Sequence, residues 1–287
     1  SLDGITLTRR ASGISGPFNG INGITWAGDH FVAVGVAGTI LISSDGVTWT
    51  RRAAEANISY NDIAWSGAQY VIVGNLGSIE TSPDGNTWTS RTSGTTNELY
   101  GITWSGTQFV TVGHAGTILT SPDGINWTSR TSEITVDLFG ITWSDTQFVA
   151  VGGNGTILTS PDGIVWTCST AGTTQSLNSI VWSDTQFVGV GTYGTILASP
   201  NSNTWKRMVS GTVDHLYDIA WSGTLFVAVG ELGSILTSTD GVTWTGATSG
   251  ISTTLNSIAW SGTLFVAVGE LGSILTSNDG LAWTSRP

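Results

Sequence analysis

Two aspartates, Asp62 and Asp218, are the residues of this chain whose type and spacing most directly suggest catalysis. Each stands three positions before a tryptophan, in copies of a repeated segment. Two carboxyl groups about 5–9.5 Å apart are the arrangement with which glycoside hydrolases cleave sugar bonds. In the competing interpretation each carboxylate binds loop backbone, and we favour it because nothing else in the sequence supports the pair. We therefore predict no catalytic residue and no enzymatic activity.

The histidines and the cysteine are too scattered to form a metal site or a nucleophilic centre. His30, His114 and His215 stand in different repeats, and His30 occupies a different loop from the other two. Cys168 is the only cysteine, which excludes an intrachain disulfide and a multi-cysteine zinc site. No glycine motif for a phosphate or a dinucleotide is present. We predict no metal and no cofactor.

The tryptophans show which elements position these residues. All 14 belong to two series in which neighbours are 39 residues apart. A fixed period without insertions indicates repeated copies of one supersecondary unit. The first series is Trp26, Trp65, Trp104, Trp143, Trp182, Trp221 and Trp260, and the second is Trp49, Trp88, Trp127, Trp166, Trp205, Trp244 and Trp283.

Within the third copy, four short runs rich in β-branched and aromatic residues are separated by Gly, Ser, Pro and Asp, which is typical of strands. The predicted strands are Gly101–Trp104, Phe109–Val112, Thr117–Thr120 and Asn126–Thr128. The second and third runs are apolar on both faces, so their sheet must be packed between other sheets. A ring of four-stranded antiparallel sheets meets this requirement. We predict an all-β, seven-bladed β-propeller with a 39-residue repeat.

The period also predicts the domain organisation, which is a single propeller domain over residues 1–287. Residues 1–20 contain a linker and an additional strand, Ile5–Arg9, that resembles the fourth strand of a repeat. The C-terminal run Leu281–Ser285 offers the same strand, and its Trp283 favours it as the strand that closes the last blade. The copies are expected at 21–59, 60–98, 99–137, 138–176, 177–215, 216–254 and 255–287.

The copies differ most in the loops expected around the mouth of the central channel, where propellers and other folds commonly bind ligands. These positions combine aromatic rings, which stack on sugars, with amides and carboxylates, which bind hydroxyl groups. We predict a non-catalytic binding or scaffold propeller, with a multivalent carbohydrate binder as the first hypothesis. The candidate ligand-binding residues are Glu98, Tyr100, His114, Asp137, Phe139, Tyr193, His215 and Tyr217.

A protein-interaction platform is the alternative. A single protein partner favours one patch unlike the rest, such as Tyr100, Phe139 and Asp137 in adjacent copies, whereas equivalent weak sites favour a glycan bound through avidity. A third possibility is an amplified or designed array without a ligand, because residues 219–238 are identical to residues 258–277.

A recurring S-x-D-G-x-x-W pattern, as in Ser82–Trp88, stands between the predicted third and fourth strands. It resembles the Asp-box, or bacterial neuraminidase repeat, of sialidases and of photosystem II assembly propellers. The resemblance implies a propeller fold and a structural role for the aspartates of the pattern. In the fifth copy Asn201 and Ser202 replace Asp and Gly, so we expect a looser turn there. The structural aspartates are Asp45, Asp84, Asp123, Asp162, Asp240 and Asp279.

The resemblance also raises the hypothesis of a sialidase, which needs three arginines that converge on the substrate carboxylate. All eight arginines follow the second-series Trp, or Leu7 in its place, by two or three residues. We therefore expect them on the outermost strands, where charges prevent pairing between sheet edges.

Charge and composition exclude two classes of partner. The formal net charge is −11 and the pI is about 4.4, whereas nucleic acids require a basic surface. No apolar run approaches the roughly 20 residues of a membrane span. We predict a glycan or another protein as partner, no nucleic acid, no membrane insertion, and a monomer. The acidic surface, poor in Lys and rich in Ser and Thr, favours a secreted or cell-surface bacterial protein.

Overall fold

The computed structural model describes residues 20–52 and 58–286. Within these ranges the chain forms seven sheets, each of four strands in sequence order. All neighbouring strands of a sheet are antiparallel, as in blade one. The predicted seven-bladed β-propeller is therefore confirmed. The strand predicted at Ile5–Arg9 lies outside the described residues.

The blades are numbered one to seven in chain order, and each has its first strand at the channel and its fourth at the outer edge. The first strands are β1 (Ile21–Trp26), β5 (Tyr60–Trp65), β9 (Leu99–Trp104), β13 (Leu138–Trp143), β17 (Leu177–Trp182), β21 (Leu216–Trp221) and β25 (Leu255–Trp260). The second strands are β2 (Phe31–Gly35), β6 (Tyr70–Gly74), β10 (Phe109–Gly113), β14 (Phe148–Gly152), β18 (Phe187–Gly191), β22 (Phe226–Gly230) and β26 (Phe265–Gly269). The third strands are β3 (Thr39–Ser43), β7 (Ile79–Ser82), β11 (Ile118–Ser121), β15 (Thr156–Ser160), β19 (Ile196–Ser199), β23 (Ile235–Ser238) and β27 (Ile274–Ser277). The fourth strands are β4 (Thr50–Arg52), β8 (Thr89–Arg91), β12 (Thr128–Arg130), β16 (Thr167–Thr170), β20 (Lys206–Met208), β24 (Thr245–Ala247) and β28 (Thr284–Arg286).

A short 3₁₀ turn joins the second and third strands of every blade. Its first residue donates a backbone N–H to the loop before the first strand of the same blade, as Glu231 does to the carbonyl oxygen of His215 at 2.8 Å. Both kinds of loop therefore lie on one face of the ring. None of the helical turns in the described ranges is long and apolar enough to cross a membrane. The turns are Val36–Gly38, Asn75–Gly77, His114–Gly116, Gly153–Gly155, Thr192–Gly194, Glu231–Gly233 and Glu270–Gly272.

The core lies between the blades. Every residue of the second strands is buried, as in Phe31–Gly35, because these strands face a neighbouring blade on each side. One apolar cluster joins Ile21 and Phe31 of blade one to Val266 and Val268 of blade seven. Since β28 pairs with β27, the C-terminal strand forms the outer edge of blade seven, and the ring closes by packing of blade one against blade seven.

The S-x-D-G-x-x-W segments form corners on the face opposite the 3₁₀ turns. In blade one, Asp45 Oδ1 accepts the backbone N–H groups of Val47 and Thr48 at 2.8 and 2.7 Å, and Trp49 Nε1 donates to the carbonyl oxygen of Gly46 at 3.1 Å. These bonds hold the chain in a turn until it enters the fourth strand.

The fifth corner keeps the contacts of its third residue and of its Trp despite the different sequence. Asn201 Oδ1 accepts the N–H groups of Asn203 and Thr204, both at 3.1 Å, and Trp205 Nε1 donates to Ser202 at 2.8 Å. Ser202 adopts a φ of +62°, in the region that glycine occupies in the other corners. The amide oxygen of Asn thus replaces the carboxylate oxygen as acceptor. The bond from the next backbone N–H to the corner serine, 2.9 Å between Gly46 and Ser43 Oγ in blade one, has no counterpart at Ser202, so the turn is looser in this one respect, as expected.

Candidate functional site at the channel mouth

A β-bulge in the first strand of every blade positions the residues of the channel mouth. In blade one Ile21 pairs with Gly35 and Gly23 pairs with Val34, so that Asn22 is an additional residue. Such a residue bends the strand and redirects the side chain. The bulge residues line a cavity of about 480 Å³. They are Asn22, Asn61, Tyr100, Phe139, Asn178, Tyr217 and Asn256.

The four asparagines at this position connect neighbouring blades. Asn22 Nδ2 donates to the carbonyl oxygen of Tyr60 at 2.8 Å, and Asn178 Nδ2 donates to that of Leu216 at 2.8 Å. Asn61 and Asn256 make the corresponding bonds. The three aromatic residues cannot donate such a bond from a side-chain amide. Blades three, four and six therefore lack, at the channel mouth, the inter-blade bond that asparagine makes in the other four blades.

The aromatic residues of blades three and four form a pair. The ring centroids of Tyr100 and Phe139 are 5.5 Å apart, and both rings are half-buried in the cavity wall. Burial, followed by the nearby negative charges of Glu98 and Asp137, raises the pKa of the Tyr100 hydroxyl to about 12. Tyr100 is therefore a neutral hydrogen-bond donor and acceptor at physiological pH.

Asp218 lies below the bulge residues, on the wall of the channel. Its carboxylate accepts four hydrogen bonds, from Ser179 Oγ (2.6 Å), Ser257 Oγ (2.8 Å), and the backbone N–H groups of Ile219 (2.8 Å) and Ile258 (2.9 Å). Burial raises its pKa, and these bonds oppose the increase. The carboxylate therefore joins blades five, six and seven.

Asp62 occupies the equivalent position in blade two. It accepts the backbone N–H groups of Ile63 at 2.8 Å and Ile102 at 2.9 Å. Burial raises its pKa to about 7, the charge of Asp218 adds to the increase, and the two hydrogen bonds oppose it. Part of the Asp62 side chain faces the channel. The surrounding protein nevertheless leaves little water near the carboxylate to stabilise its charge.

These contacts give both aspartates a structural role, because each carboxylate joins neighbouring blades. They bind backbone, as expected, although the N–H groups belong to first strands and not to loops. The carboxylate of Asp218 already accepts one bond for each of its lone-pair directions. A hydrolytic pair needs carboxyl oxygens that are available to substrate and water, so the hydrolase hypothesis gains no support here.

The remaining predicted site residues lie outside the cavity lining, whereas Tyr100, Phe139 and Tyr217 belong to it. His114 Nδ1 lies 2.9 Å from Asp137 Oδ1, which also accepts the backbone N–H of Ala115 at 2.8 Å. Glu98 Oε1 accepts a bond from Asn61 Nδ2 at 3.0 Å. Tyr193 and His215 contact each other in blades five and six.

Sequence reasoning did not select the asparagines of the bulge, although they share a position with the selected aromatic residues. It also missed Ser179 and Ser257, which bind Asp218. Their position, three residues before the first-series Trp, is the one from which Asp218 itself was selected. A comparison of the seven copies at this one position would have shown that Ser179 and Ser257 are equivalent to Asp218.

The arginines in the described ranges all lie on fourth strands, far from the mouth, as predicted; Arg9 and Arg10 fall outside these ranges. Arg91 Nε donates to Thr81 Oγ1 at 2.9 Å, and the same bond recurs in blades three and seven. No arginine triad of the sialidase kind forms among them. Cys168 is exposed on the outer strand β16. Within residues 20–52 and 58–286, no three His, Cys, Asp or Glu side chains come together as metal ligands.

Comparisons with known proteins show a similarity of fold. No protein-family model matches the chain, and no curated protein matches its sequence significantly. The structure is similar to that of YCF48 from Cyanidioschyzon merolae, with 20% sequence identity, a TM-score of 0.74, and coverage of 93% of this chain and 98% of the other. A structure described as YCF48 bound to D1 peptide matches with 20% identity, a TM-score of 0.74, and coverage of 91% and 95%. The WD40 β-propeller domain of Doa1 matches with 13% identity, a TM-score of 0.76, and coverage of 94% and 97%. The chain thus has the fold of these propellers.

Proposed function

We propose that this propeller is a non-catalytic module that binds a peptide segment of a partner protein at the channel mouth. The observation that carries the proposal is the replacement of the inter-blade asparagine by Tyr100, Phe139 and Tyr217 in three of the seven blades. These residues give up a stabilising bond and place aromatic surface around a cavity. Aromatic anchors of this kind commonly dominate the binding energy of protein interfaces.

The asparagines supply the complementary polar groups. Asn22, for example, uses one amide N–H to bind Tyr60, and its amide oxygen and second N–H are not needed for that bond. A peptide backbone presents one donor and one acceptor per residue, which such amides match. The structure of YCF48 bound to D1 peptide is an example of a propeller of this fold with a peptide ligand, and it supports the proposal at the level of fold.

The S-x-D-G-x-x-W corners are consistent with a binding site at the channel mouth, because they lie on the opposite face. Their repeated serine–aspartate–tryptophan geometry agrees with the Asp-box resemblance, and we propose that they are boxes of that kind. Because they lie on the face opposite the mouth, they serve the fold and leave the mouth free to vary.

Carbohydrate binding remains the second hypothesis, and one observation favours it. Similar shallow depressions of about 730, 740 and 700 Å³ lie beside the fourth strands of blades two, five and four. Repetition is what a multivalent lectin requires. However, among the described residues Tyr193 is the one aromatic side chain that lines any of the three, so the described lining of the other two offers no ring for stacking on a sugar. The peptide hypothesis therefore fits the aromatic residues better.

A displayed random-peptide library and a glycan array, both probed with the purified full chain, test the two hypotheses together. We expect enriched peptides and no reproducible glycan. The variant Tyr100→Ala/Phe139→Ala should bind those peptides at least about tenfold more weakly, because each ring at an interface centre contributes about 1 kcal/mol or more.

The matched control is Ile164→Ala/Val165→Ala, which shortens two exposed side chains of a corner on the opposite face and should leave binding unchanged. A glycan bound equally by wild type and by the mouth variant would replace the peptide hypothesis with the lectin hypothesis. If neither library yields a ligand, the proposal is wrong.

A further inference from the structure

Blades five to seven carry a group of aromatic and acidic residues at the edge of the mouth, termed here the cation cluster: Tyr193, His215, Tyr217, Glu231 and Glu270. The ring centroids of Tyr193 and His215 are 4.8 Å apart in an edge-to-face arrangement. Those of His215 and Tyr217 are 6.5 Å apart. The backbone N–H of Tyr193 donates to His215 Nδ1 at 3.0 Å, and this bond fixes the orientation of the imidazole.

Two carboxylates lie on the same face as these rings, at the start of the 3₁₀ turns of blades six and seven. Glu231 Oε2 accepts the backbone N–H of His215 at 3.3 Å. Burial raises the pKa of the Tyr217 hydroxyl, and the charges of Glu231 and Glu270 add to the increase. Among the described residues, neither Glu231 nor Glu270 forms an ion pair with Lys or Arg, since the cations of these ranges lie on fourth strands. Three aromatic rings and two negative charges thus lack a positive counterpart within the described part of the chain.

The residues that follow the two glutamates add an apolar surface. Leu232 and Leu271 are 63% and 72% exposed, and both adopt a left-handed φ, of 55° and 54°. Tyr193 occupies the same turn position in blade five with a φ of 53°. A left-handed backbone is unfavourable for a residue other than glycine, and an exposed side chain gains little from the fold. Leu76 has the same backbone and is also exposed in blade two, so what distinguishes Leu232 and Leu271 is their position beside the two glutamates, where they offer apolar surface to a partner.

We propose that the cation cluster binds a Lys or Arg side chain of a partner peptide, and that Leu232 and Leu271 contact apolar residues beside it. Aromatic rings attract cations through their π faces, and the two carboxylates complement the same charge. A second copy of this chain is a poor occupant, because its net charge is −11 and its own mouth is acidic. The inference rests on the proposed peptide binding at the mouth and specifies the chemistry of the peptide.

Four fluorescent hexapeptide mixtures test the inference against the full chain by anisotropy. Each has the form acetyl-X-X-Leu-Z-Leu-X-amide, in which X is randomised and Z is Arg, citrulline, Lys or norleucine. Citrulline and norleucine resemble Arg and Lys in shape but carry no charge. We expect the Arg and Lys mixtures to bind about tenfold more tightly than their neutral counterparts. The preference should shrink at high salt and shrink in Glu231→Gln/Glu270→Gln, where only the aromatic rings remain to attract the cation.

The leucines allow a control for strain. Leu232→Gly/Leu271→Gly should weaken binding of the Arg mixture severalfold while the urea midpoint stays the same or rises, because glycine tolerates this backbone. Leu76→Gly changes the same turn position in blade two, where φ is 55° and the side chain is 80% exposed. It should relieve the same strain without weakening binding.

The outcomes separate the two proposals. Equal binding of charged and neutral mixtures, combined with a loss of binding in Tyr100→Ala/Phe139→Ala, overturns the cation cluster and retains the peptide-binding mouth. Weaker binding in Leu76→Gly equal to that in the double glycine variant also overturns the proposed surface. If wild type binds none of the mixtures and no peptide from the displayed library, both proposals fail.

Discussion

The side-chain amide of Asn256 donates a hydrogen bond to the backbone carbonyl oxygen of Ile21 at 2.9 Å, across 235 positions of sequence. It is the same bond that Asn22 and Asn178 make between consecutive blades. The contact between the first and last blades is thus built like an internal one. On the opposite face this contact is apolar, with Leu264 and Trp49 packed against the cluster that contains Phe31.

Loss of this amide should weaken the closed ring. Asn256→Ala removes one partly buried hydrogen bond, so we expect a decrease of about 1 kcal/mol in the free energy of unfolding, measured by urea denaturation. Asn203→Ala, at an exposed corner where the backbone N–H makes the bond, is the control and should change little. Identical midpoints for the two variants would contradict the role assigned to Asn256.

The corner aspartates should stabilise the fold above about pH 4 and lose this effect in acid. Backbone N–H groups of Thr243 and Val242 lower the pKa of Asp240 to about 2, compared with about 3.9 in an unfolded chain. A group with a lower pKa in the folded state stabilises above its unfolded pKa, and the stabilisation disappears as pH falls through the folded value. Asp240→Asn, which copies Asn201 of blade five, should therefore be less stable than wild type at pH 6. The difference should vanish near pH 2 in urea titrations.

Asp62 should show the opposite dependence, because burial raises its pKa to about 7. Its neutral form fits the folded channel, so its contribution is complete below about pH 4 and is lost as pH rises to about 7. Asp62→Ser introduces the residue found at the equivalent positions 179 and 257. We expect the melting temperature of wild type to fall more steeply between pH 4.5 and 8 than that of the variant. Parallel curves would show that Asp62 does not titrate in this window.

Tyr70 and His30 should be coupled energetically. Tyr70 replaces the phenylalanine of the other second strands and is fully buried. Its hydroxyl lies 2.7 Å from His30 Nε2, and Asp29 Oδ1 lies 2.5 Å from His30 Nδ1. His30→Ala leaves the buried hydroxyl without this partner, which should cost about 1–3 kcal/mol.

The double variant His30→Ala/Tyr70→Phe restores the apolar contact of the other blades and should recover most of that loss in urea denaturation. If the double variant is as unstable as His30→Ala alone, the hydroxyl is not the source of the cost.

The tryptophan period was sufficient to predict the number of blades and strands, but local hydrogen bonds moved the strand ends. In blade three the first strand begins at Leu99 and not at Gly101, because the bulge at Tyr100 lets Leu99 pair with Gly113. The fourth strand begins at Thr128 and not at Asn126, because Asp123 holds the N–H groups of Ile125 and Asn126 in the corner.

The candidate site was predictable only in part. The position of Tyr100, Phe139 and Tyr217 in the repeat was enough to place them at the mouth. The left-handed backbone at Leu232 and Leu271 was not predictable, because the glycine-x-x-glycine pattern around them does not specify the φ of its central residues. The raised pKa of Asp62 depends on the width of the channel, which sequence does not give.

Each described blade consists of one continuous stretch of chain, and blade seven takes its outer strand from its own repeat. No sheet in residues 20–52 and 58–286 borrows a strand from a distant segment. The ring therefore does not depend on which blade comes first in the chain. A circular permutant, with residue 286 joined to residue 20 by a short linker and new ends placed in any loop before a first strand, should form the same ring. The seven blades are equivalent by rotation about the channel, so every loop before a first strand is an equivalent place to open the ring.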